Sequence, residues 1–241
     1  SLFIVFGSSG CQVVNKEEYP VGIYSVGSSA NLPDIAAAGF NLVTGPAEID
    51  YLDAAERNGL RVLASPGSSA GKSFNDARAR SRIALFDRHP ALWSWYLIDE
   101  PDMMRVSPDR VEEAHSALKH AGATKPTSLV LYKGDEAQWY GNIADITMVD
   151  RYPVPWLPLS NFSQHIHKAR LATDKERPLI AVIQSFDWTN HQSVLPGEKN
   201  LRPPTEYELR NMTYSALVRG ANGIFYYSYA DMLLKDRKYP E

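Results

Sequence analysis

The feature that most constrains the fold is a repeated alternation of strand-like and helix-like segments from residue 21 onward. Some strand-like segments, such as residues 179–183, are continuously apolar, which is typical of strands covered on both faces. The helix-like segments carry their own start signals, such as Ser107-Pro108 and the capping box that begins at Thr205. The predicted strands are residues 21–26, 40–44, 60–65, 92–98, 127–132, 145–150, 179–184 and 223–227.

This alternation predicts an α/β protein whose parallel strands are joined by right-handed crossovers. Eight strand–helix units between residues 21 and 241 suit a closed barrel better than an open sheet. We therefore expect a single (β/α)8 TIM barrel over residues 21–241, preceded by an N-terminal extension over residues 1–20.

Composition excludes several classes of protein. The 25 basic and 28 acidic residues give a net charge of −3 and form no basic stripe, so we expect no nucleic-acid partner. No run approaches the roughly 18 apolar residues of a membrane span. The single cysteine, Cys11, excludes an internal disulfide framework and a multi-cysteine metal site. No histidine–carboxylate motif indicates a metal, and we expect no cofactor. The oligomeric state stays open.

The beginning of the chain leaves its location open. An apolar run over residues 2–6 and then small residues precede Cys11, as at the cleavage site of a bacterial lipoprotein signal. The run is shorter than the roughly 7–15 residues of such a signal, so a short strand or hairpin is the alternative. An extracytoplasmic location (periplasmic, secreted or lipid-anchored) is therefore an open hypothesis.

Acidic residues follow two of the predicted strands at the end where TIM barrels carry their active sites. Asp99 and Glu100 come directly after the fourth strand, and Asp150 ends the sixth. Repulsion between carboxylates and burial against an apolar wall both raise a carboxyl pKa, and cleavage of a glycosidic bond needs a protonated carboxylic acid. The structural alternative is that Asp99 caps the loop and Glu100 pairs with Arg105 on the surface.

Aromatic and polar side chains at the same strand ends are candidates for contact with a sugar ring. Their faces stack on apolar surfaces and their polar atoms reach hydroxyl groups. The alternative is that the loop aromatics pack over the barrel mouth. The predicted substrate-binding residues are Tyr24, Tyr132, Trp139, Tyr152, Trp156, Gln184, Trp188 and Tyr227.

The segment Asp99-Glu100-Pro101 resembles the Asn-Glu-Pro signature of the large clan of retaining barrel glycoside hydrolases. Residues 21–24 and 34–43 resemble the opening of those barrels, and residues 220–227 resemble their eighth strand. The resemblance implies a TIM barrel that cleaves O-glycosidic bonds in an oligo- or polysaccharide, with Glu100 as the general acid/base.

The sequence departs from the clan at strand 7, where Gln184 stands in place of the nucleophilic glutamate. We favour Asp150 as the second carboxylate, acting as base or nucleophile. A second hypothesis is that an acetamido group of the substrate attacks, oriented by Asp99 with Glu100 as acid, as in barrel hexosaminidases. A third is a non-catalytic carbohydrate-binding barrel. A lyase or aldolase using Lys133 is a further, weaker alternative.

One other segment invites a functional interpretation. Residues 67–73, Gly-Ser-Ser-Ala-Gly-Lys-Ser, follow the third strand and precede a helix, as a phosphate-binding loop does. Only three residues separate the two glycines, whereas that motif needs four. We therefore predict a rim loop here.

Overall fold

The computed structural model describes residues 19–70 and 74–231. Eight parallel strands pair in chain order and close into a barrel, so the predicted single (β/α)8 TIM barrel is confirmed. The strands are β1 (Val21–Ile23), β2 (Leu42–Thr44), β3 (Arg61–Ala64), β4 (Leu92–Asp99), β5 (Thr127–Leu131), β6 (Ile146–Val149), β7 (Leu179–Gln184) and β8 (Gly223–Tyr227).

The helices surround the strands, and their ends follow the local sequence signals. The Thr205 side chain accepts a hydrogen bond from the Glu208 N–H, and the Glu208 carboxylate accepts one from the Thr205 N–H, which completes the predicted capping box. A short helix at residues 101–104 was not predicted. The helices are α1 (Leu32–Ala37), α2 (Ile49–Arg57), α3 (Asp76–Phe86), α4 (Pro101–Met104), α5 (Pro108–His120), α6 (Ala137–Tyr140), α7 (Leu159–Ala172) and α8 (Glu206–Val218).

Alternate residues of the strands divide into two apolar layers. Along β7, Leu179, Ala181 and Ile183 pack in the layer under the helices, whereas Ile180 and Val182 point into the barrel. The two tryptophans of β4 divide in the same way. Trp95 is fully buried in the outer layer, while Trp93 packs on the inner layer.

The barrel interior is filled by side chains and is not a pore. A Cβ atom on Gly22 of β1 would lie 2.3 Å from the Phe225 ring of β8, so only glycine lets that ring occupy the centre. Trp93 packs against the same ring, with 6.1 Å between the ring centroids. This plug closes the lower barrel and leaves the carboxyl ends of the strands for binding.

Two further expectations from the sequence concern the N-terminal extension and membrane-spanning helices. Residues 1–18, with Cys11 and most of the predicted N-terminal extension, lie outside the described residues. Within the described part of the chain, no helix combines the length and apolarity that a membrane span requires.

Candidate active site

A cavity of about 270 Å³ opens at the carboxyl ends of the strands. We call it the acidic cavity, because three carboxyl groups line it. Seven residues predicted from the sequence lie in its wall: Tyr24, Asp99, Glu100, Asp150, Tyr152, Trp188 and Tyr227. Four others complete the wall and were not predicted: Tyr96, Phe186, His191 and Val194.

Glu100 is placed by an unusual backbone conformation. Its φ and ψ angles of 42° and 54° lie in the left-handed region, which costs a non-glycine residue about 1–3 kcal/mol. Neighbouring hydrogen bonds maintain it, since the Glu100 N–H donates to Val130 O at 3.0 Å and the Glu100 carbonyl accepts from Met104 N at 2.9 Å. Such strain is typical of functional positions. Here the chain turns from β4 directly into α4 at the residue predicted as the acid.

The carboxyl groups of Glu100 and Asp150 are joined by a hydrogen bond. Asp150 is 6% exposed, and the Tyr152 hydroxyl donates to its Oδ2 at 3.2 Å. Its Oδ1 has no hydrogen-bond partner among the described residues. A hydrogen bond between two carboxyl groups requires a proton on one of them. Burial, followed by the charges of Glu100 and Asp99, raises the pKa of Asp150 well above its ordinary value.

Glu100 has the electrostatic character of a general acid near neutral pH. Burial and then the charge of Asp99 raise its pKa to about 7, against the lowering effect of the bond to Asp150. That bond favours the protonated form of Asp150 and the ionised form of Glu100. The two carboxyl groups therefore titrate as a coupled pair, whose proton Asp150 holds more strongly than Glu100.

Asp99 lies at the rim of the acidic cavity, with part of its side chain exposed. The Tyr96 hydroxyl donates to its Oδ1 at 2.5 Å. Burial of the carboxyl group raises the pKa of Asp99, and the bond from Tyr96 opposes this shift. Tyr96 was not predicted as a site residue because it lies within β4 and not after its end. An irregularity in the pairing of β4 with β5 follows it, between Tyr96 and Ile98.

Aromatic rings form the wall beside the acids. Phe186 packs edge-on against Trp188 and Tyr152, with centroids 4.7 and 5.1 Å apart, and Tyr24 lies 5.5 Å from Tyr227. The Trp188 Nε1–H also donates to Val154 O at 2.8 Å, which fixes the orientation of the indole. Fixed aromatic faces beside convergent polar groups are typical of small-molecule sites.

His191, like Tyr96, is a polar residue of the cavity wall that was not predicted. Its Nε2 lies 3.0 Å from Asp231 Oδ1, and the buried Asp231 also accepts from the Ser228 hydroxyl at 2.6 Å. The ring stacks edge-on against Phe186, 5.1 Å away. No sequence pattern joins these residues, because the loop after β7 meets the chain beyond β8 only in the folded barrel.

Gln184 does not line the acidic cavity. Its side chain is fully buried. The amide forms two hydrogen bonds with the backbone of Val154, because Oε1 accepts from Val154 N and Nε2 donates to Val154 O, each at 2.9 Å. The residue at the strand 7 position thus holds the loop after β6, which contains the cis Val154–Pro155 bond. Because the side chain is fully buried and lies outside the cavity wall, the amide is not placed to bond a sugar hydroxyl.

Three other predicted substrate contacts lie outside the cavity wall. Tyr132 carries the Arg151 guanidinium over its ring at 4.6 Å, and its N–H donates to the Asp102 carboxylate. Trp139 is 63% exposed on α6. Trp156 is exposed and stacks on Trp188 with centroids 5.6 Å apart, so it extends the aromatic wall outward. Lys133, the candidate Schiff-base lysine, is exposed.

One set of metal-binding residue types lies elsewhere, between α2 and the end of α3. Asp53, Glu56 and His89 bring their ligand atoms within 4.8 Å of one another. However, His89 Nδ1 accepts from Ala91 N at 3.1 Å, so the neutral ring carries its hydrogen on Nε2, which faces Asp53 at 3.1 Å. This arrangement satisfies His89 by hydrogen bonding and occupies the atom that would bind a metal.

No protein-family model and no curated protein matches the sequence. Solved structures match its fold. A beta-glucuronidase from an uncultured Clostridium sp. aligns at 11% identity and a TM-score of 0.60, over 86% of this chain and 43% of its own. A GH99 endo-alpha-mannosidase from Bacteroides thetaiotaomicron aligns at 12% identity and a TM-score of 0.60, over 84% of this chain and 67% of its own. A GH18 chitinase from Pseudoalteromonas aurantia aligns at 11% identity and a TM-score of 0.60, over 88% of this chain and 94% of its own.

These neighbours are glycoside hydrolases of different families, and at these identities the likeness establishes the fold alone. The chain spans less than half of the glucuronidase it matches and nearly all of the chitinase.

The spacing of the carboxyl groups limits what the cavity does chemically. Retaining glycosidases hold two carboxyl groups about 5–5.5 Å apart, so that a sugar carbon fits between them. Inverting glycosidases hold them about 6.5–9.5 Å apart, which leaves room for a water as well. Glu100 and Asp150 instead touch through a hydrogen bond. The pair is therefore arranged to share protons, as close carboxyls do, and leaves no space for a sugar between its members.

Proposed function

We propose that this protein is a glycoside hydrolase in which Glu100 is the general acid. The observation that carries the proposal is a carboxyl group with a pKa of about 7 in an open, aromatic-walled cavity at the catalytic end of the barrel. An acid with that pKa is protonated at neutral pH often enough to donate to a leaving oxygen, yet acidic enough to do so readily. The glycosidase activities named for the structural neighbours support a carbohydrate substrate.

The contact between Glu100 and Asp150 favours one route among those considered from the sequence. Asp150 is nearly fully buried and is bonded to the acid itself, so it does not stand across a sugar ring as a nucleophile or base. A route in which an acetamido group of the substrate attacks needs no second carboxylate at that distance. We therefore propose a 2-acetamido sugar as substrate. Asp99 at the rim accepts the amide N–H and orients the attacking oxygen.

The competing proposal is a carbohydrate-binding barrel without activity. The observation that favours it is Gln184, which occupies the nucleophile position of the clan and whose buried amide is bonded to Val154. An aromatic-walled cavity would still bind sugar rings without the chemistry.

Hydrolysis of paired aryl glycosides separates these proposals. Each 2-acetamido β-glycoside is tested beside the 2-hydroxy glycoside of the same configuration. We expect turnover of an acetamido member, and Glu100→Gln should lower kcat by about 10²–10⁴-fold while the sugar still binds. Glu198→Gln, at an exposed loop position, serves as the control for loss of a carboxylate.

The outcomes of this test are distinct. Turnover of only the 2-hydroxy members would retain the glycosidase proposal and reject the acetamido route. Binding of sugars with no turnover of any glycoside would favour the inactive barrel. Full activity of Glu100→Gln would reject Glu100 as the acid.

A further inference from the structure

A second cleft, of about 420 Å³, lies on the same face of the barrel as the acidic cavity. It is formed by residues 45–48 after β2 and by the loop after β3 with the first turns of α3. The Ala70 N–H of that loop donates to Leu97 O at 3.0 Å, two residues before Asp99. The loop that forms one wall of the cleft is therefore hydrogen-bonded to β4, the strand that leads to Asp99 and Glu100. We call it the arginine cleft, after Arg78 and Arg82 in its wall.

Arg78 and Arg82 lie one turn apart on α3 and share a helix face. Among the residues that the structure describes, neither forms an ion pair, although Glu48 lines the same cleft. Arg80, on the next face of the helix, is paired with Asp76. The two cleft arginines thus leave positive charge at the surface that no described carboxylate neutralises.

The Arg82 guanidinium has hydrogen-bonding capacity left over. One of its nitrogens, Nη2, donates to Ala47 O at 2.8 Å. Its Nε is buried and has no acceptor among the described residues. A buried donor without a partner carries a desolvation cost. An acceptor bound in the cleft removes that cost.

Two serine hydroxyls on the facing loop also have an O–H group that they donate to no described residue. Ser65 Oγ accepts from Gly67 N at 3.1 Å, and Ser68 Oγ accepts from Asn75 N at 2.7 Å. Both oxygens are used as acceptors toward the protein backbone, so their O–H groups remain for a ligand. The hydroxyl and guanidinium groups of the cleft therefore offer mainly hydrogen-bond donors.

Gly67 brings the loop and the arginines together. A Cβ atom there would lie 2.6 Å from Arg82 Cδ and 3.1 Å from Arg78 Nε, and its φ of 83° suits glycine. Gly67, the first residue of the segment that resembled a phosphate loop, thus has a structural explanation. It lets two arginine side chains pack on the loop backbone.

We infer that the arginine cleft binds an anionic substituent, a carboxylate or a sulfate, on a carbohydrate chain whose neighbouring residue occupies the acidic cavity. The inference rests on the proposed function. Guanidinium groups and hydroxyls match the oxygens of such groups. The carboxyls of the acidic cavity repel an anion, so a charged substituent is accommodated outside it, on the neighbouring loops.

Binding measurements on Glu100→Gln test the inference without interference from hydrolysis. The probes all contain 2-acetamido sugars and are compared by calorimetry: a hyaluronan oligosaccharide, which carries carboxylates, a keratan sulfate oligosaccharide, which carries sulfates, and an uncharged N-acetyllactosamine oligosaccharide of equal length. Inorganic sulfate at constant ionic strength, with chloride as reference, is a fourth probe, read as a rise in Tm. We expect at least one charged oligosaccharide to bind about tenfold more tightly than the uncharged one, because of charge-assisted hydrogen bonds. Which charged probe binds distinguishes carboxylate from sulfate.

Substitutions then locate the effect. Arg78→Gln and Arg82→Gln should each remove most of the preference for charge and the rise in Tm. Arg80→Gln, which removes a charge from the same helix, should leave both unchanged. Equal binding of charged and uncharged probes, no effect of any probe, or a preference that survives in the Arg78→Gln/Arg82→Gln double variant would overturn the inference.

The test separates this inference from the proposed function. Hydrolysis of uncharged aryl glycosides without any preference for anions rejects the arginine cleft alone. Binding of anions that depends on Arg78 and Arg82, without turnover of any glycoside, supports the cleft and rejects the hydrolase.

Discussion

Glu100 at the end of β4 is hydrogen-bonded through its carboxyl group to Asp150 at the end of β6. The two residues are fifty positions apart, and the barrel brings them together above its filled interior. The bond stabilises the protonated form of the more deeply buried Asp150, whereas Glu100 opens to the cavity with a pKa near 7. This division between a buried partner and an accessible acid leads to the predictions that follow.

The first prediction concerns the pH dependence of catalysis. Because Glu100 must be protonated to act as an acid, kcat/KM should fall as the pH rises through about 7. The Asp99 charge raises the Glu100 pKa, so Asp99→Asn should lower that pKa and move the alkaline limb to lower pH. Profiles of kcat/KM against pH for both proteins provide the measurement. A limb that stays in place or moves upward in Asp99→Asn would contradict the assignment.

The second prediction concerns stability. The folded-state pKa of Asp150 lies well above its unfolded value of 3.8, so this group supports folding fully below about pH 4 and loses that support as the pH rises toward the folded pKa. The side-chain amide of the Asp150→Asn variant does not ionise in this pH range. The Tm of the variant should equal that of the wild type near pH 4 and exceed it by a few degrees at pH 8, at about 2–4 °C per kcal/mol.

Thermal unfolding across this pH range, with Glu198→Gln as the control, measures the effect. A difference in Tm that is the same at pH 4 and pH 8 would show that Asp150 does not titrate as described. Activity should fall in Asp150→Asn, so the same variant gains stability and loses function.

The third prediction concerns Gln184. A glutamate here can accept from Val154 N, but an ionised carboxylate cannot donate to Val154 O and would face that carbonyl while buried. Gln184→Glu should therefore lower Tm and leave activity no higher than wild type, even though glutamate is the residue type at this position in the clan that the sequence resembles. The expected cost is about 1–3 kcal/mol. A variant that kept its stability and gained activity tenfold would instead show that this position faces the substrate.

The fourth prediction uses two tryptophans that the sequence analysis treated alike. Trp188 lines the acidic cavity and is anchored to Val154 O, whereas Trp139 is exposed on α6. Trp188→Ala should weaken oligosaccharide binding by about tenfold through lost stacking, and Trp139→Ala should leave it unchanged. Calorimetry on both variants makes the comparison. Trp188→Phe, which keeps an aromatic face, should retain more binding than Trp188→Ala, and the reverse order would argue against stacking.

Several features of the site could be predicted from local signals. Asp99, Glu100 and Asp150 were found because the carboxyl ends of barrel strands meet on one face, and a strand ends where its apolar run ends. Tyr24, Tyr152, Trp188 and Tyr227 followed from the same rule. Tyr132 and Trp139 satisfied that rule too, yet they lie outside the cavity wall: the Tyr132 ring packs under the Arg151 guanidinium, and Trp139 is exposed on α6.

The remaining features depend on contacts between distant segments. The His191–Asp231 contact joins residues forty positions apart, and the choice of Val154 as the partner of Gln184 depends on the path of the loop after β6. The arginine cleft also had no signal of its own. Its two arginines belong to an ordinary polar helix face, and only the folded loop after β3 places serine hydroxyls opposite them.

The amino-acid sequence by itself determined the number and order of the strands, the longer helices between them, the barrel class and the identity of the candidate acids. These depend on periodicity, capping and strand ends, which are properties of neighbouring residues. Tertiary structure alone decided that Glu100 and Asp150 touch, that Gln184 holds a loop, and that Arg78 and Arg82 form no ion pair with a described carboxylate. The physical reason is that pKa values, hydrogen-bond partners and unpaired charges are set by atoms within a few ångströms in space, whatever their distance along the chain.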